Sequence, residues 1–142
     1  MAGMEQLGRV WNVVPIAAGV LIPVKDTSGI TFVCTGDDTF TVKSAATYNG
    51  SPTALAAIGR YYSNTAVNGS AAWTDSGDIT PVNNVAIASG TVVFYVDESD
   101  LPAGAEYVEV TVAASGLVTA IVGDLKVQRT PANLRVLSGS TS

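Results

Sequence analysis

From Val85 to Arg129, short apolar runs and turn residues alternate four times along the chain. Val85 to Ala88 and Thr91 to Val96 are rich in β-favouring residues, and Ser89-Gly90 between them predicts a hairpin. Tyr107 to Ala113 alternates strictly, with Val108, Val110 and Val112 on one face and Tyr107, Glu109 and Thr111 on the other, the period of a strand with one buried and one wet side. Ser115-Gly116 predicts a reversal into Leu117 to Val122, and Gly123-Asp124 a further one into Leu125 to Arg129. Connections this short exclude the crossover that parallel neighbours require, so the pairing is antiparallel. Leu117, Ala120, Ile121 and Asp124 also fall at helical spacing, but Gly123 and the β-branched content oppose a helix there.

Upstream, the same reading gives an extended arm over residues 1–15, ending at Pro15, and a strand around Val20 to Lys25 that Pro23 confines to an edge or bulge. Ile30 to Thr35 and Thr39 to Lys43 predict a second hairpin about Gly36-Asp37-Asp38, with Phe40 and Val42 on one face. Ser51-Pro52-Thr53 ahead of Ala54 to Ile58 predicts a capped helical turn stopped by Gly59. Tyr61-Tyr62 opens a short strand. Asn64 to Gly69 and Ser76 to Asn84 are rich in turn residues, and no segment repeats at a fixed period. Leu134 to Leu137 adds a last strand before a frayed tail, 138–142. The expectation is an all-β, antiparallel β-sandwich of Greek-key or immunoglobulin-like type, one domain over 16–137, with the N-terminal arm and one short helical turn.

Composition narrows function mainly by exclusion. There is no histidine, which removes Ser-His-Asp and Cys-His catalysis and the usual zinc sets. The lone Cys34 has no internal disulfide partner and reads as a buried, inert thiol. No phosphate loop or dinucleotide fingerprint is present, so no cofactor is expected. Asp37-Asp38 and Asp97-Glu98-Ser99-Asp100 read as solvated acidic turns, without the spacing of an EF-hand. The apolar stretch Val10 to Val24 contains Asn12, Pro15 and Pro23 and falls short of the ~20 residues that span a bilayer, so no membrane role is expected. Seven basic against twelve acidic residues leave a net charge of −5, with 13% of residues charged. That is no footprint for nucleic acid, and so lightly charged a surface suits coverage by a protein partner. Leu7, Val10, Trp11 and Val13 of the arm, together with Tyr61, Tyr62 and Trp73, are the candidate contact residues, although Trp73 and one of the paired tyrosines fit a core role equally well.

Two resemblances sharpen this expectation. Asp100-Leu101-Pro102-Ala103-Gly104-Ala105-Glu106-Tyr107-Val108-Glu109-Val110 resembles the corner-and-strand phrase of fibronectin type III and related sandwiches, except that Tyr107 here faces away from the valines. More broadly, Gly29-Ile30-Thr31-Phe32-Val33-Cys34-Thr35-Gly36, Arg60-Tyr61-Tyr62-Ser63-Asn64-Thr65-Ala66 and the stretch Gly116 to Leu134 are similar to small virion structural proteins of tailed phages of actinobacteria. That resemblance implies a non-enzymatic capsid decoration or cement protein, bound to the major capsid protein on the capsid surface as a homotrimer or other homo-oligomer. A tail tube or tail-tip subunit is the alternative within the virion. A carbohydrate-binding module, with Trp73, Tyr61 and Tyr62 as a stacking platform, is the alternative outside it.

Overall fold

The computed structural model describes residues 11–24 and 27–123. In chain order these residues form β1 (Trp11–Val14), β2 (Ile22–Pro23), β3 (Gly29–Thr35), β4 (Asp38–Ala45), β5 (Thr53–Ala54), β6 (Tyr61–Asn64), β7 (Thr74–Asp75), β8 (Asn84–Ile87), β9 (Thr91–Asp97), β10 (Tyr107–Val112) and β11 (Leu117–Gly123). One sheet runs β1-β11-β3-β9-β6-β7; the other runs β2-β10-β4-β5, with β8 sharing the same edge of β4 as β5. Every pairing between these strands is antiparallel. The two sheets enclose one core, so the molecule is an all-β sandwich.

The core follows from period-two alternation. Ile30, Phe32 and Cys34 of β3, Val92, Phe94 and Val96 of β9, and Val118, Ala120 and Val122 of β11 all point inward from one sheet. Phe40 and Val42 of β4 meet them with Val108 and Val110 of β10. Phe32 and Phe94 are direct cross-strand partners, their rings 5.6 Å apart and tilted by 36°. That is a favourable offset geometry, and each such side chain contributes about 1.5–3 kcal/mol by leaving water. Cys34 is fully buried, and burial pushes its thiol pKa up to about 12, in keeping with the inert role expected for it.

The strands lie where the alternation puts them, but three expected hairpins are not hairpins. β3 and β4 belong to different sheets, and so do β8 and β9, and β10 and β11. Each short connection is an arch that carries the chain across the core from one sheet to the other. Turn residues specify that the chain reverses, not whether it reverses within a sheet or between two. The arches crowd together at one end of the sandwich. The Gly36 N–H donates to the Gly90 carbonyl at 2.9 Å. Both glycines have positive φ, 116° and 109°. A Cβ on Gly36 would stand 3.3 Å from Gly116 Cα, and one on Gly116 would stand 2.7 Å from the Phe40 ring.

Asp38 ties this end together, and it is not the solvated acid that the sequence suggested. It is 7% exposed. Its Oδ1 accepts from Thr39 N–H at 2.7 Å and Ala113 N–H at 2.8 Å; its Oδ2 accepts from Gly116 N–H at 2.7 Å, and Ala114 N–H reaches both oxygens at 3.0 Å. Burial works against the charge, but the hydrogen bonds from Gly116, Thr39, Ala114 and Ala113 outweigh it and hold the pKa below the ordinary aspartate value.

Other expectations need correction. Ala54 to Ile58 does not form a helical turn: Thr53 and Ala54 pair with β4, and Ile58 is fully buried and bridges to Val82. Tertiary pairing overrides a weak local signal there. The one helical turn among the described residues is a 3-10 turn, Glu98–Asp100, capped reciprocally by Asp97 and Asp100. Residues 11–14, assigned to a free arm, are the edge strand β1, paired with β11 from Trp11–Gly123 to Val14–Ala120. Leu125–Arg129 and Leu134–Leu137 lie outside the described residues. Pro23 does sit on an edge strand, β2.

Because the folded-state pKa of Asp38 lies below the unfolded value of about 4, its contribution is present above that pH and is lost as pH falls through the folded pKa. Asp38→Asn should therefore lower the melting temperature at pH 7 far more than Asp37→Asn does. The gap from wild type should narrow as pH is taken below about 4. Thermal melts by circular dichroism from pH 7 to pH 2 test this, and a gap independent of pH would exclude the charge as its source.

Candidate functional site

The surface with the clearest capacity for binding is the outward face of the six-stranded sheet. Register places Val13, Ile121, Thr31 and Tyr95 in one row across β1, β11, β3 and β9. The next row is Thr119, Val33, Val93 and Tyr62, with Asp75 beyond. Leu117 closes the face at the arch end, 67% exposed. Apolar and aromatic side chains thus occupy positions that alternation sends to solvent.

This face has two halves. On the β1–β11–β3 side it is aliphatic: Val13, Ile121, Val33 and Leu117, with the exposed Ile16 just past β1. On the β9–β6 side a groove of about 410 Å³ is lined by Tyr62, Tyr95, Val93, Arg60, Pro81 and Asp100. Tyr62 and Tyr95 are each about half exposed, at 44% and 45%. Tyr95 lies over the backbone of Gly29, where a Cβ would collide with its ring, so the glycine makes room for the tyrosine.

Arg60 is held at this groove by two aspartates. Its Nε donates to Asp75 Oδ1 at 2.9 Å, its Nη2 to Asp75 Oδ2, and its Nη1 to Asp78 Oδ1 at 3.3 Å. The guanidinium stands 5.8 Å from the centre of the Tyr62 ring. The hydrogen bond to Asp75 raises the Arg60 pKa and holds that of Asp75 below the usual aspartate value. One cation thus faces two carboxylates, and its charge is already matched.

The candidate contact residues divide accordingly. Val13 lies on the aliphatic half and Tyr62 at the groove. Tyr61 pairs opposite Phe94 and packs against the core, which breaks up the stacking platform of Tyr61, Tyr62 and Trp73. Trp73 is half exposed beside Gly69, ahead of β7, and is not a core residue. The backbone of Trp11 pairs with Gly123; Leu7 and Val10 lie outside the described residues. Leu117, Tyr95 and Arg60 complete the face and were not among the candidates. The parity of β11 was sufficient to send Leu117 outward, since Val118, Ala120 and Val122 fill the opposite side.

Among the described residues no group of three or more Cys, Asp or Glu could hold a metal ion, and no helix is long and apolar enough to cross a membrane. Their formal charge is concentrated on one sign, with Lys43 and Arg60 against nine carboxylates. Lys43 is the register partner of Glu109. Glu109 faces away from the core valines yet is 6% exposed, so that side of β10 is not wet at this position. Burial raises the Glu109 pKa, opposed in part by Lys43. No protein-family model, curated protein or solved structure matches the chain.

For Glu109 the sign is the reverse of that for Asp38: a carboxyl with a raised folded pKa favours folding below about pH 4 and loses that contribution as pH rises through the folded pKa. Glu109→Gln should raise the melting temperature by a few degrees at pH 7 and have little effect at pH 4. Equal shifts at both values would show that packing, not ionisation, governs the site.

Proposed function

We propose that the protein is a non-enzymatic structural component of a phage virion that binds the major capsid protein from outside and reinforces the shell, as a homotrimer or other homo-oligomer. The observation that carries this reading is the outward sheet face on the β1–β11–β3 side, where Val13, Ile121, Val33 and Leu117 stand among the uncharged Thr31, Thr35 and Thr119. Charged side chains are absent from the paired positions between β1, β11 and β3 on that side. A patch of this kind is suited to burial against another protein. Leu117 alone would contribute about 1.5–3 kcal/mol on leaving water. Affinity per copy can be modest on a lattice, because bound neighbours raise the effective concentration for each further contact.

The sequence resemblance to virion proteins of actinobacterial phages supports the same reading. A tail-tube role has less support, since a ring interior is commonly built from long hairpins and the tight reversals described above run between sheets. The N-terminal segment leads directly into β1, at the edge of the aliphatic patch, and can extend the contact across the capsid or an adjacent copy.

Co-sedimentation with capsids assembled from the major capsid protein tests the proposal. Leu117→Asp combined with Val13→Asp should reduce binding at least tenfold while leaving the melting temperature within a few degrees of wild type. Removing residues 1–10 should weaken attachment further. Full binding by both variants would sink the assignment of this face.

A further inference from the structure

We propose that two copies of the chain meet across a two-fold axis, each setting its Trp73 indole into the groove between β9 and β6 of the other. This concerns self-association alone and stands apart from what the β1–β11–β3 side binds.

The first half of the contact is a fixed knob. Residues 65–73 join β6 to β7, and the pairing of Ser63 with Thr74 closes the base of this loop. Asn64, 3% exposed, organises it: its Nδ2 donates to the Ala71 carbonyl at 2.7 Å, and its Oδ1 accepts from Ala66 N–H at 2.9 Å. Thr91 Oγ1 donates to the Val67 carbonyl at 2.9 Å, and Gly69 N–H to the Ala66 carbonyl at 3.0 Å. Trp73 lies against Gly69, where a Cβ would stand 3.6 Å from its Cζ2, and is still 50% exposed. A side chain carried on a loop with so many internal hydrogen bonds gives up little conformational freedom on docking, and tryptophan is among the residues that most often anchor protein contacts.

The groove supplies the second half. Tyr95, Val93, Pro81, Ala56 and Ala57 line a volume of about 410 Å³, and sites from about 300 Å³ upward take drug-sized molecules. Thr31 also lines it, and its hydroxyl can accept the indole N–H. Arg60 at the rim is already paired with Asp75 and Asp78, so the groove suits a neutral apolar side chain better than an anion. The chain from Tyr61 to Thr74 carries no charged residue, so the loop brings no ion to be desolvated.

Knob and groove also face the same way. Tyr62 stands outward opposite Asp75, and Trp73, two residues before Asp75, continues that parity. The groove lining does not include Trp73, so the loop holds the indole clear of its own copy's groove. A face that bears a knob beside its receptor is complementary to itself under two-fold rotation, and each contact is then made twice.

Sedimentation equilibrium of the isolated protein, from micromolar to millimolar concentration, should show monomer passing to dimer. Trp73→Ala and Tyr95→Ala should each weaken association at least tenfold. Salt at about 0.5 M should not weaken it, because the contact is apolar. An equimolar mixture of the two variants should associate more strongly than either alone, since Trp73 of one can still enter the intact groove of the other. Circular dichroism melts would verify each fold, with Val93→Asp as a second groove substitution if Tyr95→Ala melts early. A protein monomeric throughout would overturn the proposal, as would association indifferent to Trp73→Ala. Weakening by Trp73→Ala but by neither groove variant would seat the indole elsewhere and overturn the groove as its receptor. A mixture no stronger than its components would overturn the reciprocal exchange.

Discussion

One end of the sandwich is held by a single carboxylate. To lay two sheets face to face about 10 Å apart, the chain must cross the gap, and each tight crossing leaves backbone N–H groups without a strand partner. Asp38 takes four backbone N–H groups, one from Thr39 at the start of β4 and three from the arch between β10 and β11. An ionised aspartate suits the position because both oxygens only accept, and together they offer enough lone pairs for the whole set. The same residue starts β4, so the contact that closes one arch also fixes where the central strand of the second sheet begins. Gly36 then lies close against Gly116, Gly90 against the backbone of Asn64 and Thr65, and Gly116 against the Phe40 ring, approaches that a side chain at each glycine would crowd.

With that end secured, the six-stranded sheet has two distinct faces. Inward, Phe32 and Phe94 stack across neighbouring strands and supply the rigid layer on which everything outward rests. Outward, β1, β11 and β3 present aliphatic side chains, whereas β9 and β6 present two tyrosines and a neutralised arginine. The division is spatial as well as chemical.

Much of the architecture was legible in the sequence. The alternation of Ile30 to Thr35, Thr91 to Val96, Tyr107 to Val112 and Leu117 to Val122 gave the long strands and their inward residues, and Pro23 marked an edge. Pairing partners were not legible, because Ser89-Gly90 and Ser115-Gly116 carry the same local preference whether the chain turns within a sheet or between sheets. The buried state of Asp38 was hidden for a related reason: its donors at Ala113, Ala114 and Gly116 are some 75 residues away along the chain. On the outward face, Val13 and Tyr62 were among the candidate contact residues, Val13 as part of an extended arm and Tyr62 as one of an adjacent pair of tyrosines. The adjacent tyrosines could not be separated into one inward and one outward until β6 was placed against β9.

The pairing of Trp11 with Gly123 has a topological corollary. Residues directly opposed on neighbouring antiparallel strands have Cα atoms about 5 Å apart, so the first and last described strands bring Trp11 and Gly123 side by side. A linker of a few residues could seal that junction into a ring, and the ring could be reopened at the exposed tip Pro102–Gly104. Such a circular permutant of residues 11–123 would keep every arch and open instead at the connection between β9 and β10, giving a scaffold whose attachment point can be chosen.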